Sequence, residues 1–188
     1  KTDIEHHIAK TQKVAREFYK RQAAKLGAIA ESSGSFDELT ENVGASDLYI
    51  QNDIKGIDRS EHIVKRIRMA EYFNAPQLAM PEGGLRDKIT LLLSENGFQQ
   101  REKPINVEEY GQFLRETYPD LNLRDEEIQR VFEKLPPDVF ASIDIGMERI
   151  LILLNSMEDT RTKFSCSGHG SEINYDMPVY YSRAYFTF

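Results

Sequence analysis

The chain has 188 residues, 40 % hydrophobic and 29 % charged, with ten Phe, nine Tyr and no Trp. That is enough apolar and aromatic material to pack a core in one domain, and it excludes a disordered chain. No apolar run approaches the ~20 residues that cross a bilayer, and the longest cluster, Ile150 to Leu154, is core-sized. The single cysteine, Cys166, excludes an internal disulfide. With no Asn-x-Ser/Thr sequon beside it, it points to a reducing compartment, the cytoplasm.

The net charge of -7 is unevenly spread. Residues 1–26 carry a local balance of +4 and the remainder -11. The basic part reads as one long amphipathic helix, residues 1–30, with Ile4, Ile8, Ala15, Phe18, Leu26 and Ile29 recurring at helical spacing. Gln22 is the polar intruder in that stripe. Lys13, Arg16 and Lys20 fall outside it and are candidate contacts to nucleic-acid phosphates, or to an acidic partner. The stripe itself is a candidate docking surface for a partner protein. The plain alternative for the cations is a solvated helix face.

Glu31 to Ser35 reads as a linker, and residues 36–188 as a helical globular domain ending in a small sheet. An irregular stretch follows to Asp58, with Asp47 to Gln51 a short strand candidate. Asp58 with Glu61 forms a capping-box pattern opening a helix with Ile63, Ile67 and Ala70 inward, ending at Asn74. Leu85, Ile89, Leu92 and Leu93 make the next helical face, stopped by Asn96-Gly97. Phe98 to Lys103 reads as extended. Asn106 with Glu109 caps a helix facing inward through Tyr110, Phe113 and Leu114. Asp125 opens another, with Ile128, Val131, Phe132 and Leu135 inward and Pro136-Pro137 closing it. Asp138 to Asn155 reads as one central helix with Ile143, Met147, Ile150, Leu151 and Leu154 buried, widened by Ile152 and Leu153.

After Asp159 the period becomes that of strands, over Thr160 to Ser165 and again over Val179 to Phe188. The expected class is therefore α+β, predominantly helical with a small C-terminal antiparallel sheet. Between those strands lies the sharpest chemical feature, Ser165-Cys166-Ser167-Gly168-His169-Gly170. It combines a thiol, two hydroxyls, an imidazole and two glycines at a strand end, where scaffolds present reactive groups.

Three chemistries fit this turn. Cys166 as nucleophile with His169 as base is one, because an imidazole nearby lowers a thiol pKa. Half of a zinc site is another, completed by His6, His7, His62, Glu172 or Asp176, although no second cysteine exists and no metal site is expected. The third is ligand binding, with Ser165, Ser167 and the backbone of Gly168 and Gly170 cradling a phosphate, carboxylate or nucleotide. The plain alternative packs Cys166 as a small apolar group. Among the tyrosines of residues 179–185, Arg183 is a further candidate phosphate contact.

The stretch Asp144-Ile145, Ile150, Leu154-Asn155-Ser156 and Thr162-Lys163-Phe164-Ser165-Cys166-Ser167-Gly168 resembles part of the TYW3-like methyltransferase pattern of tRNA wybutosine synthesis. In that family an apolar helix ending in Asn leads through a strand into Ser-Ser-Cys-Ser-Gly-Arg; here Phe164 and His169 depart from it. The resemblance implies a transferase with S-adenosylmethionine as cofactor and RNA as substrate, Ser165, Cys166, Ser167 and Gly168 lining the site. The functional expectation is a domain acting on a nucleotide or nucleic acid through the Ser165–Gly170 loop. The alternative is a non-catalytic interaction module using the N-terminal helix.

Overall fold

The computed structural model describes residues 2–48, 59–80, 84–166 and 185–187. Eight α-helices occur among them: α1 (Thr2–Ser32), α2 (Phe36–Gly44), α3 (Arg59–Tyr72), α4 (Gly84–Glu95), α5 (Val107–Thr117), α6 (Asp125–Lys134), α7 (Pro137–Ala141) and α8 (Glu148–Ser156). Single 3-10 turns at Pro76–Leu78 and Pro119–Leu121 link neighbouring helices.

The expectation of an α+β fold is corrected. The described chain is 70 % helical, and no sheet layer takes part in its core. Among the described residues, extended backbone pairing is confined to one antiparallel ladder of three residues on each side, β1 (Phe164–Cys166) with β2 (Tyr185–Thr187). Three residues cannot present an alternating face wide enough to cover helices, so the hydrophobic core is built by helices alone.

Local signals explain most helix boundaries. Ser35 accepts the Glu38 N–H at 3.1 Å and starts α2, which buries Phe36, Leu39 and Val43 in the stretch expected to be irregular. A serine followed three residues on by Glu is a helix start. Asn106 and Glu109 form the expected reciprocal capping box at α5, at 3.0 and 3.1 Å. Asn74 adopts a left-handed φ of 49° at the end of the α3 region, and Gly97 one of 78° past α4. Residues 98–103 carry no strand, and neither do Asp47 and Leu48 of the other expected strand.

The expected central helix over Asp138 to Asn155 is two helices. Pro137 opens the short α7, and residues 142–147 turn through Gly146 at φ 88° before α8 begins. Ile143, Met147, Leu151 and Ile152 are buried, whereas Ile150 and Leu153 are exposed, contrary to the continuous stripe. The break rotates α8 relative to a single uninterrupted helix, so different residues face the core.

Aromatic side chains gather around Tyr110 of α5. Tyr110 is fully buried, stacks at 6.3 Å on Phe113, meets Phe140 edge-on at 6.1 Å, and donates its hydroxyl to the Leu135 carbonyl at 3.0 Å. Gly111 lies so close to α6 that a Cβ there would stand 2.8 Å from Ile128 Cγ2.

Candidate functional site

The chain that leads into Ser165 is held by α6 and α8. Asn155 is buried at the end of α8. Its carboxamide donates to the Thr162 hydroxyl at 2.8 Å and accepts the Thr162 N–H at 3.2 Å. Lys134, at the end of α6, donates to the carbonyls of Met157, Glu158 and Thr160 at 2.5, 3.0 and 2.8 Å. Arg130 donates to the Ser156 carbonyl at 2.5 Å. An ammonium has three N–H donors, and here each finds a carbonyl. The Asn155 and Thr162 of the family-like stretch therefore form one clasp immediately before β1.

Ser165 and Cys166 lie in β1, paired with Phe186 and Tyr185. Ser167, Gly168, His169 and Gly170 lie outside the described residues, as does Arg183. Glu172 and Asp176, from the zinc alternative, lie outside them too. Just before β1, Thr162 and Lys163 line a polar cavity of about 220 Å³ with Lys134, Ser142 and Asp144.

Asp144 also receives His62 of α3, whose Nε2 stands 3.1 Å from its carboxylate. One turn along α3, Lys65 sits 3.0 Å from Glu148 and donates to the Ile143 carbonyl at 3.2 Å. Burial pushes the Lys65 ammonium below its ordinary pKa, and the Glu148 carboxylate opposes that shift. Glu148 in turn accepts the Gly146 N–H at 2.7 Å, bracing the turn before α8. Among the described residues no group of three or more His, Cys, Asp or Glu is placed to hold a metal ion.

Lys65 reaches a second cavity as well. Its ammonium stands 4.7 Å from the centre of the Phe140 ring, in a cleft of about 400 Å³ lined by Tyr72, Phe113, Tyr118 and Arg68 among others. Phe140 is buried, Phe113 and Tyr118 half-buried, and Tyr72 exposed at the rim. Tyr72 meets Phe113 edge-on at 5.3 Å, and Tyr118 meets Phe140 edge-on at 6.2 Å. Burial, with the 2.8 Å bond to Glu116, raises the Tyr72 phenol to about 12. Burial also raises that of Tyr118. Arg68 is spanned by Asp37 and Glu71, each at 3.0 Å, so its charge is internally balanced.

Of these aromatics, sequence reasoning places only Phe113, on the inward face of its helix. The signal for the cleft is Lys65 and Tyr72, two turns apart on one face of α3.

On α1, the last turns pack, and the described side chains of residues 4–21 are exposed. Leu26 and Ala30 are buried, while Lys10, Lys13, Arg16, Lys20 and Arg21 are exposed. Of these cations only Lys20 has an acidic partner among the described residues, Glu17 at 3.6 Å. Ile4 is 67 % and Val14 50 % exposed. The side chains of Ile8, Ala15 and Phe18 lie outside the described set. No described helix is long and apolar enough to cross a membrane.

Compared with protein-family models, curated proteins and solved structures, the chain matches none.

Proposed function

We propose that this chain is a cytoplasmic domain that binds a nucleotide or nucleic acid, RNA in the first instance, and acts on it at the Ser165–Gly170 loop. The observation that carries the reading is the set of exposed cations on α1. On an otherwise acidic chain, Lys10, Lys13 and Arg16 are left without acidic partners, so nothing in the described protein competes with phosphates for them. When these cations neutralise phosphates, the counterions condensed on the nucleic acid are released, which favours the contact despite the net charge of -7.

The resemblance to the TYW3-like pattern supports a methyl-group transferase, with Cys166 and His169 as its candidate reactive pair. The polar cavity before β1 adjoins the approach to the Ser165–Gly170 loop, and its Lys163 cation suits a carboxylate such as that of S-adenosylmethionine. Ser165, Ser167, Gly168 and Gly170 are the candidate contacts for the rest of that cofactor.

The test is binding of a fluorescently labelled single-stranded RNA as a function of salt. Each phosphate contact to a single strand contributes about 0.7 to the log–log salt slope, so Lys13→Gln, Arg16→Gln and Lys20→Gln together should flatten it by about 2. A slope unchanged by the triple variant overturns the reading.

The exposure of Ile4 and Val14 favours a second reading, a docking helix for a protein partner. Ile4→Glu with Val14→Glu should then abolish a partner-dependent or self-association step seen in sedimentation velocity. A single monomeric species at all concentrations, with no partner bound, counts against it.

A further inference from the structure

We propose that the aromatic cleft between α3, α5 and α7 is a seat for one unpaired nucleobase, stacked on the Phe113–Tyr118 wall and hydrogen-bonded to Lys65. This rests on the nucleic-acid reading above and deepens it, because it assigns base contact to a place separate from the phosphate-binding arm.

The cleft's size is that of a small-ligand site: about 400 Å³ against the roughly 300–1,000 Å³ usual for such pockets. Its chemistry is selective. Four aromatic rings line it, so a flat ring gains stacking area that an aliphatic chain does not. Two cations, Arg68 and Lys65, face three carboxylates, Asp37, Glu71 and Glu148, so the surplus charge around the cleft is negative. A free phosphate or carboxylate would therefore be repelled there, whereas a neutral ring would not.

Lys65 supplies the polar element. Two of its three N–H bonds go to Glu148 and to the Ile143 carbonyl. The third remains for an acceptor on the ligand, at the end of the cleft where the ammonium lies over Phe140. A ring with a carbonyl or ring-nitrogen acceptor on its edge meets both demands, and nucleobases carry such acceptors on exposed edges.

The experiment compares the intact protein's affinity for a single-stranded oligouridylate with that for an abasic ribose-phosphate strand of the same length. The base-bearing strand should bind at least tenfold more tightly. Phe113→Leu with Tyr118→Leu should remove that difference and leave the salt slope unchanged. Equal binding of the two strands overturns the base seat while the nucleic-acid reading stands. No binding of either strand overturns both.

Should the double variant fail to fold, crosslinking answers the question with wild-type protein. Irradiation with a 4-thiouridine-containing strand should place crosslinks at Tyr72, Phe113 or Tyr118 by peptide mass spectrometry. Crosslinks confined to other peptides overturn the proposal.

Discussion

Gly111→Ala tests the closest helix contact in the fold. On propensity alone the change should stabilise α5 by about 1 kcal/mol, since Gly is the poorest helix former after Pro. The structure opposes this, because the new methyl would stand 2.8 Å from Ile128 Cγ2 and 3.3 Å from Cδ1. Carbon atoms prefer roughly 3.5–4.0 Å. Cγ2 sits on a branched Cβ with one favoured rotamer in a helix, so it cannot swing aside cheaply. Overpacking of this kind costs about 1–3 kcal/mol, and the net expectation is destabilisation by about 1 kcal/mol. For a chain of this length that is about 2–4 °C in Tm.

The sign should reverse when the obstruction is removed. Ile128→Ala alone costs about 2–5 kcal/mol, because Ile128 is buried. In that background Gly111→Ala should recover about 1 kcal/mol, giving a coupling of about 2 kcal/mol in a double-mutant cycle read by urea unfolding. Additive effects, or stabilisation by Gly111→Ala in the wild-type background, would refute the α5–α6 contact.

Lys65→Met should cost about 3 kcal/mol in chemical denaturation, because it strands the Glu148 carboxylate at the base of the cleft, and Lys65→Met with Glu148→Leu should restore part of it. At high pH the sign follows from Tyr110, whose pKa burial raises well above 10. Its contribution to stability is full below pH 10 and is lost as pH rises further and only the unfolded chain ionises. Tyr110→Phe should therefore shorten the alkaline decline while lowering neutral stability by about 1–2 kcal/mol through the orphaned Leu135 carbonyl, both visible in Tm against pH. In acid, Glu127 is held at about 2 by its bonds to the Arg124 side chain and backbone. The stability it adds is present above pH 4.5 and lost as pH falls toward 2; Glu127→Gln should flatten that limb of the curve. S-adenosylmethionine at a hundredfold excess over Kd should stabilise a binding-competent fold by about 2.7 kcal/mol in thermal shift. Cys166→Ala with His169→Ala should erase that shift, and a shift retained in the variant refutes their role.

Periodicity carried α3, and boundary chemistry with periodicity carried α4, α5 and α6, each having its signal within a few residues of its apolar face; the Asp58 cap expected for α3 lies outside the described residues. The Asn106–Glu109 box is legible without any tertiary knowledge. The same signature at Ser35 and Glu38 goes unread when Glu31 to Ser35 is taken as a linker, since polar residues suit caps and loops equally. The break between α7 and α8 rests on Gly146 amid apolar residues, where periodicity alone continues through. Thr160 to Lys163 alternates in sequence without forming a strand, because alternation is compatible with extended pairing without specifying a partner; residues 179–184 of the second expected strand lie outside the described residues. The cleft was hidden for a different reason: a sequence marks Phe113 and Phe140 as apolar but cannot say that they line an open cleft together with Tyr72 and Tyr118. Asn155 likewise looks like a helix end until Thr162 folds back against it.

The Lys134 clamp has a mechanical consequence. A pull on the chain at β1 would load the three ammonium–carbonyl bonds to Met157, Glu158 and Thr160 together rather than one after another. Bonds sharing a load give way collectively, so the approach to Ser165 behaves as a stiff bracket bolted to α6, not as a hinge at the end of α8. The position of Ser165 is then keyed to α6 and, through the Asn155–Thr162 clasp, to the end of α8, so an insertion between residues 157 and 160 would displace the strand as a unit.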